Sequence, residues 1–115
     1  GLVQSGPLAG LGHPQLAKAL AAMHEAPASP WTLESLAAVA GMSRSRFAEV
    51  FAERVGTPPS SYLAGYRITL AQEALRRGER LERIAQQVGY GSAAALSRAF
   101  TSVCGVSPRQ WLKAT

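Results

Sequence analysis

The chain repeats itself once, and that repeat constrains the fold more than any single residue does. Leu36-Ala37 lies over Ile84-Ala85 at a spacing of 48 residues, and Gly41-Met42 lies over Gly89-Tyr90 at the same spacing. Beyond that turn the spacing becomes 49, with Phe47 over Leu96, Phe51 over Phe100, Gly56 over Gly105, Pro59 over Pro108 and Tyr62-Leu63 over Trp111-Leu112. The second copy therefore carries one extra residue in or just after its turn. Each copy reads as a short helix, a glycine-containing turn and a capped second helix, the arrangement of a helix-turn-helix. A solenoid would need at least about three copies, and there are two.

Local signals give the elements. Residues 1–12 are glycine-rich and lack periodicity, which predicts a tail or linker. From Pro14, a residue suited to a first helical turn, Leu16, Ala19, Leu20 and Met23 recur at helical spacing. Pro27, Ser29 and Pro30 break the chain, Trp31 is a candidate anchor, and Thr32 caps a helix from Leu33 to Ala40 that Gly41 ends. Ser43 caps the next helix, with Met42 and Phe47 stapled across the cap. That helix turns Phe47, Val50 and Phe51 inward and stops before Gly56.

Thr57-Pro58-Pro59 opens a long helix to about Arg77, closed by Gly78, with Tyr62, Leu63, Tyr66, Leu70, Ala74 and Leu75 as its inward stripe. Ile84, Ala85 and Val88 then mark a short helix, Gly89-Tyr90-Gly91 a turn, and Ser92 the cap of a helix carrying Leu96, Ala99 and Phe100. Gly105 ends it, and Ser107-Pro108 opens a last short helix with Trp111 and Leu112. No segment alternates with period two for long enough to be a strand. The expectation is an all-α domain of about seven helices over 13–115. It divides into a homeodomain-like helix-turn-helix subdomain at 13–56, a linker helix at 57–77 and a second subdomain at 78–115.

Charge and missing motifs narrow the function. Lys and Arg number 12 against 7 Asp and Glu, for a net charge of +5. Ten of those bases are Arg, whose planar fork suits phosphate and guanine edges. Such an excess favours a polyanionic partner, although many basic domains never meet nucleic acid. There is no Asp, so no Ser-His-Asp triad, and the phosphate-loop, H-E-x-x-H and G-x-S-x-G patterns are missing; an enzyme is not expected. The single cysteine, Cys104, permits no intrachain disulfide and reads as a small buried hydrophobe. His13 and His24 lie far apart without acid or cysteine company, so neither a metal nor any other cofactor is expected. With no apolar run of 18 residues and no signal segment, the sequence predicts a cytoplasmic protein without a membrane partner. The start at Gly1 rather than Met suggests a piece of something longer.

In a helix-turn-helix the front of the second helix meets base edges, while the first helix and the caps meet phosphate. In the first copy this places Ser43, Arg44, Ser45, Arg46, Ala48 and Glu49 at the groove. Arg44 and Arg46 can bond guanine O6 and N7 or hold phosphate. Glu49 can accept from a cytosine amine, but an ion pair with Arg46 or Arg54 is favoured, because phosphates repel an unpaired acid. In the second copy the positions are Ser92, Ala93, Ala94, Ala95, Ser97 and Arg98. Its three alanines offer methyl contacts only, suited to thymine methyls or to shape, and Arg98 is the one strong candidate, with a phosphate clamp or an internal salt bridge as alternatives. Arg76, Arg77, Arg80 and Arg83 with Glu73, Glu79 and Glu82 read as a solvated, partly paired face. Trp31, Trp111, Tyr62, Tyr66 and Tyr90 fall at core spacings and do not form a stacking platform.

Ile84-Ala85-Gln86-Gln87-Val88-Gly89-Tyr90, then Leu96-Ser97-Arg98-Ala99-Phe100, then Gly105-Val106-Ser107-Pro108 and Trp111 resemble the signature of AraC/XylS-type transcriptional regulators. The first copy agrees through Leu36-Ala37, Gly41-Met42-Ser43, Phe47, Phe51, Gly56, Pro59 and the Tyr62-Leu63, Arg67, Ala71 pattern. The resemblance covers residues 13–113. It implies seven helices in two subdomains bridged by a long helix, binding double-stranded promoter DNA and usually activating transcription. It also implies RNA polymerase as a further partner and an effector-binding or dimerisation domain on the N-terminal side. Two reading helices held about one helical turn, ~34 Å, apart would face the same side of the duplex.

The sequence departs from the pattern at His13, where a helix-opening Asp is common, and at Leu112, where an Arg is common. Arg67 matches the pattern, and a structural pairing is expected for it. A helical protein-interaction module that has kept the fold stays open as the alternative, motivated by the alanine-rich second recognition helix.

Overall fold

Where each helix starts and stops follows from short side chains and glycines. The computed structural model describes residues 12–115, so the expected tail lies outside the described residues except for Gly12. Among those residues there are seven α-helices and no strand: α1 (Pro14–Glu25), α2 (Leu33–Ala40), α3 (Arg44–Val55), α4 (Pro59–Arg76), α5 (Leu81–Val88), α6 (Ala93–Cys104) and α7 (Pro108–Ala114). Thr32, Ser43, Ser92 and Ser107 each accept a backbone N–H three residues on, satisfying one of the orphan donors at a helix start. His13 does the same through Nδ1, at a long 3.4 Å from the Leu16 nitrogen. Pro58 supplies only its carbonyl, which accepts from Tyr62 N–H at 3.0 Å.

The chain forms two compact units that divide between Leu63 and Ala64, inside α4. The first unit packs Leu16, Ala19, Leu20 and Met23 of α1 with Leu36, Ala37 and Ala40 of α2, adding Phe47, Val50, Phe51 and Val55 of α3 and Leu63 of α4. Phe51 centres this core, its ring 5.5 Å from that of Phe47 and edge-on to Tyr62 at 5.8 Å. Trp31 packs half-buried against the cluster and donates its indole N–H to the Ala26 carbonyl at 2.8 Å, so its polar edge is satisfied.

The second unit gathers Ile68, Ala71, Ala74 and Leu75 of α4, Ile84, Ala85 and Val88 of α5, and Leu96 and Phe100 of α6. Trp111 of α7 meets the Phe100 ring edge-on at 5.8 Å. Cys104, half-buried against this core, accepts from Gln72 Nε2 at 3.4 Å. Tyr90 is half-buried under the Arg67 guanidinium, 5.4 Å from its ring centroid. Burial raises the phenol's pKa, and the Arg67 charge opposes that rise. Arg67 therefore pairs structurally, as expected.

The inward stripe of α4 differs from the expectation. Leu63, Ala74 and Leu75 are buried, but Tyr62, Tyr66 and Leu70 are only half-buried, and Ile68 and Ala71 are buried in their place. The helix serves two cores, with Leu63 in one and Ile68 onward in the other. One stripe fitted along its whole length misses the change. Ala99 is half-buried, and Leu112, the counterpart of the buried Leu63, is 41% exposed beside Leu75, Leu81 and Pro108. The basic face behaves as expected. Glu79 accepts from Arg77 Nε at 3.0 Å, and Arg83 Nε lies 3.9 Å away. The Arg77 hydrogen bond holds the Glu79 carboxyl below the usual carboxylate range, although partial burial works against it.

Candidate nucleic-acid interface

The front of α3 is set by the turn before it. Thr32 and Ser35 form a reciprocal capping box that fixes the start of α2. At its other end Gly41 takes φ 71°, a left-handed conformation that a side chain resists, and Met42 N–H closes back on the Ala37 carbonyl at 3.0 Å. Ser43 then starts α3, its hydroxyl accepting from Arg46 N–H at 3.2 Å. This leaves Ser43, Arg44, Ser45 and Arg46 exposed, while Phe47 next to them is fully buried and locks the helix to its core. Ala48 is half-buried and Glu49 exposed.

Two arginines in the first turn oppose the positive end of their own helix, which prefers acids. A sequence that breaks a local rule at an exposed position marks a functional site more often than an error. Both guanidinium groups are held by acids. Arg44 Nη1 lies 3.1 Å from Glu34 Oε1, and Arg46 Nη1 lies 2.7 Å from Glu49 Oε1. Glu49 thus makes the ion pair that its spacing allowed. Sequence reasoning did not single out Glu34. It lies ten residues from Arg44 on α2, where the only available signal was an acid in the first turn of the preceding helix.

The second unit rebuilds the same geometry. Gly89 takes φ 102°, Tyr90 N–H returns to the Ala85 carbonyl at 2.7 Å, and Ser92 accepts from Ala95 N–H at 3.0 Å. Ser92 and Ala94 are exposed, and Ala93, Ala95 and Ser97 are half-buried. Arg98 is exposed and makes no ion pair among the described residues. It lines a shallow depression with Ser97, Thr101 and Ser102. Thr101 and Ser102 escaped the sequence reading, although each follows Ser97 or Arg98 by four residues and so shares its helix face. The Thr101 hydroxyl donates to the Ser97 carbonyl at 2.9 Å, and α6 carries no acid.

Each unit therefore presents a rigid, capped helix front of small, hydroxylic and basic side chains. Such a surface can donate to phosphate oxygens and base edges. Among the described residues, no group of three His, Cys, Asp or Glu is placed to hold a metal ion, and no helix is long and apolar enough to cross a membrane.

A protein-family model described as a helix-turn-helix domain matches residues 36–114. Two relatives described as putative AraC-like transcription regulators, from Streptomyces antibioticus and Streptomyces lividans, are 46% and 47% identical to the chain over 110 residues. These matches cover 95% of this chain and 36% of each relative, so the chain spans about a third of their length. Among solved structures, the DNA-binding domain of AdpA in complex with a target DNA superposes with a TM-score of 0.78 at 30% identity, covering 85% of this chain and 89% of that one. A fold built twice from the same capped helix pair, matched in sequence over nearly its whole length, places the chain in the AraC-type helix-turn-helix family of transcription regulators.

Proposed function

We propose that this chain is the sequence-specific DNA-binding part of a bacterial transcription regulator, acting on double-stranded promoter DNA in the cytoplasm. The observation that carries this reading is the twice-built unit, in which a left-handed glycine and a serine cap leave the front of α3 and of α6 open to solvent. In this reading α3 and α6 enter successive stretches of major groove, with subdomains at 13–56 and 78–115 joined by the helix at 57–77. The AdpA domain, solved on its target DNA, supports the assignment. Ser43, Arg44, Ser45, Arg46, Ala48 and Glu49 form the first contact surface, and Ser92, Ala93, Ala94, Ala95, Ser97 and Arg98 the second. The first, with two arginines, reads bases. The second, with methyl groups and one arginine, mainly clamps the backbone. Transcription is activated through RNA polymerase, and an effector or dimerisation domain belongs to the N-terminal side of the whole regulator.

The test is a titration with duplex DNA across salt concentrations. Binding should weaken steeply with salt, because each phosphate contact releases counterions. Arg46→Ala should cost about 1–3 kcal/mol on a selected site, while Arg98→Ala should weaken all sequences alike and lower the salt slope by about one. Salt-independent binding, or full affinity in both variants, would overturn the reading.

A further inference from the structure

The ion pairs that hold the first unit's arginines are not repeated in the second: Arg98 stands where the 49-residue spacing puts the counterpart of Glu49, and Glu82, the counterpart of Glu34, makes no ion pair among the described residues. Glu34 and Glu49 bond Arg44 and Arg46 at 3.1 and 2.7 Å, whereas α6 contains no acid and Arg98 stands unpaired among the described residues. All four side chains of the two pairs are exposed, from 62% to 76%. Exposed pairs of this kind are weak, so they open readily and add little to the fold. What they change is the field that an approaching duplex meets. Two carboxylates at the front of α3 repel phosphate and occupy the guanidinium groups that phosphate would otherwise take.

We propose, resting on the DNA-binding reading above, that Glu34 and Glu49 are specificity-determining residues that guard the arginines of α3. Phosphate of any sequence that approaches these arginines also approaches the two carboxylates and is repelled by them. A guanine edge in register offers a bidentate bond in a fixed direction and is uncharged, so it draws Arg44 and Arg46 out of their pairs without the repulsion that phosphate meets. The guard lowers binding to random duplex more than binding to the preferred site. Arg98 carries no guard, and the clamping unit grips any backbone.

The experiment compares the wild-type chain with the Glu34→Gln and Glu49→Gln double variant on two duplexes, one selected from a random pool and one scrambled. Its control is the double variant Glu25→Gln and Glu53→Gln, which removes the same charge from exposed acids of the same unit that hold neither arginine. The guard variant should bind scrambled duplex roughly tenfold more tightly at 0.1 M salt, and its salt slope should steepen by about 0.9 for each arginine released. Affinity for the selected site should rise by less than affinity for the scrambled one, so that the specificity ratio falls.

Equal gains in the control and guard variants would overturn the proposal, because net charge alone would then explain them. A fall on the selected site with no gain on the scrambled one would overturn it as well, since Glu49 would then be reading a base. If the wild type selects a site but the guard variant keeps its ratio, the guard fails and the DNA reading stands. If the wild type binds no duplex, both fail.

Discussion

Replacing Phe51 by alanine asks whether the first unit rests on a core of its own. The side chain is fully buried, with ring neighbours at 5.5 Å in Phe47 and 5.8 Å in Tyr62. Truncating such a phenylalanine costs about 3–5 kcal/mol, lost transfer and residual cavity together. Two aromatic partners lose a contact at once, which puts Phe51 in the upper part of that range. For a domain of ~100 residues each kcal/mol lowers Tm by about 4–8 °C, so a fall of at least ~12 °C is expected. Thermal melts measure the size of the loss, and amide hydrogen exchange measures where it falls. Protection should drop through α1, α2 and α3, whose Leu16, Leu36 and Val50 share the cluster with Phe51. Amides around Leu96 and Phe100, which belong to the other cluster, should keep most of theirs. A cost below ~1 kcal/mol, or equal loss of protection in α3 and α6, would mean that the first unit does not rest on a core of its own.

Two further outcomes follow from the second unit. Ser92→Ala removes the hydroxyl that accepts from Ala95 N–H and should cost about 1 kcal/mol in a urea melt, whereas Ser92→Gly should cost only a few tenths; equal losses would contradict a capping role. Glu79 has a carboxyl pKa lowered by the hydrogen bond from Arg77. The stability it adds is therefore present above the ordinary carboxylate range and lost as pH falls through the lowered value. Glu79→Gln should melt below wild type at neutral pH, with the gap closing in acid. A gap that stays constant with pH would refute the assignment.

Most of the helix limits were legible because they depend on neighbours in sequence. Thr32, Ser43, Ser92 and Ser107 cap where short hydroxyl side chains should, and Gly41 and Gly89 take the left-handed turns that favour glycine. The pairing of Arg46 with Glu49 was legible for the same reason, since three residues along a helix put them side by side. What escaped depends on packing. Ile68 and Ala71 are buried because α4 changes from one core to another along its length, which a single periodic stripe cannot express. Glu34 reaches Arg44 across a turn, and Leu112 is exposed where the aligned Leu63 is buried. Neither follows from spacing within a helix.

If two unequal helix-turn-helix units read one duplex, the preferred site should carry two unequal blocks, and selection experiments can see this. In vitro selection from random double-stranded DNA tests it most directly, run in parallel with wild type, Arg46→Ala and Arg98→Ala. Two enriched blocks about 10 base pairs apart are expected, one strong and one weak. Arg46→Ala should erase the preference in the strong block, while Arg98→Ala should lower yield and leave both preferences in place. No enriched sequence, or a strong block lost in Arg98→Ala and kept in Arg46→Ala, would contradict it.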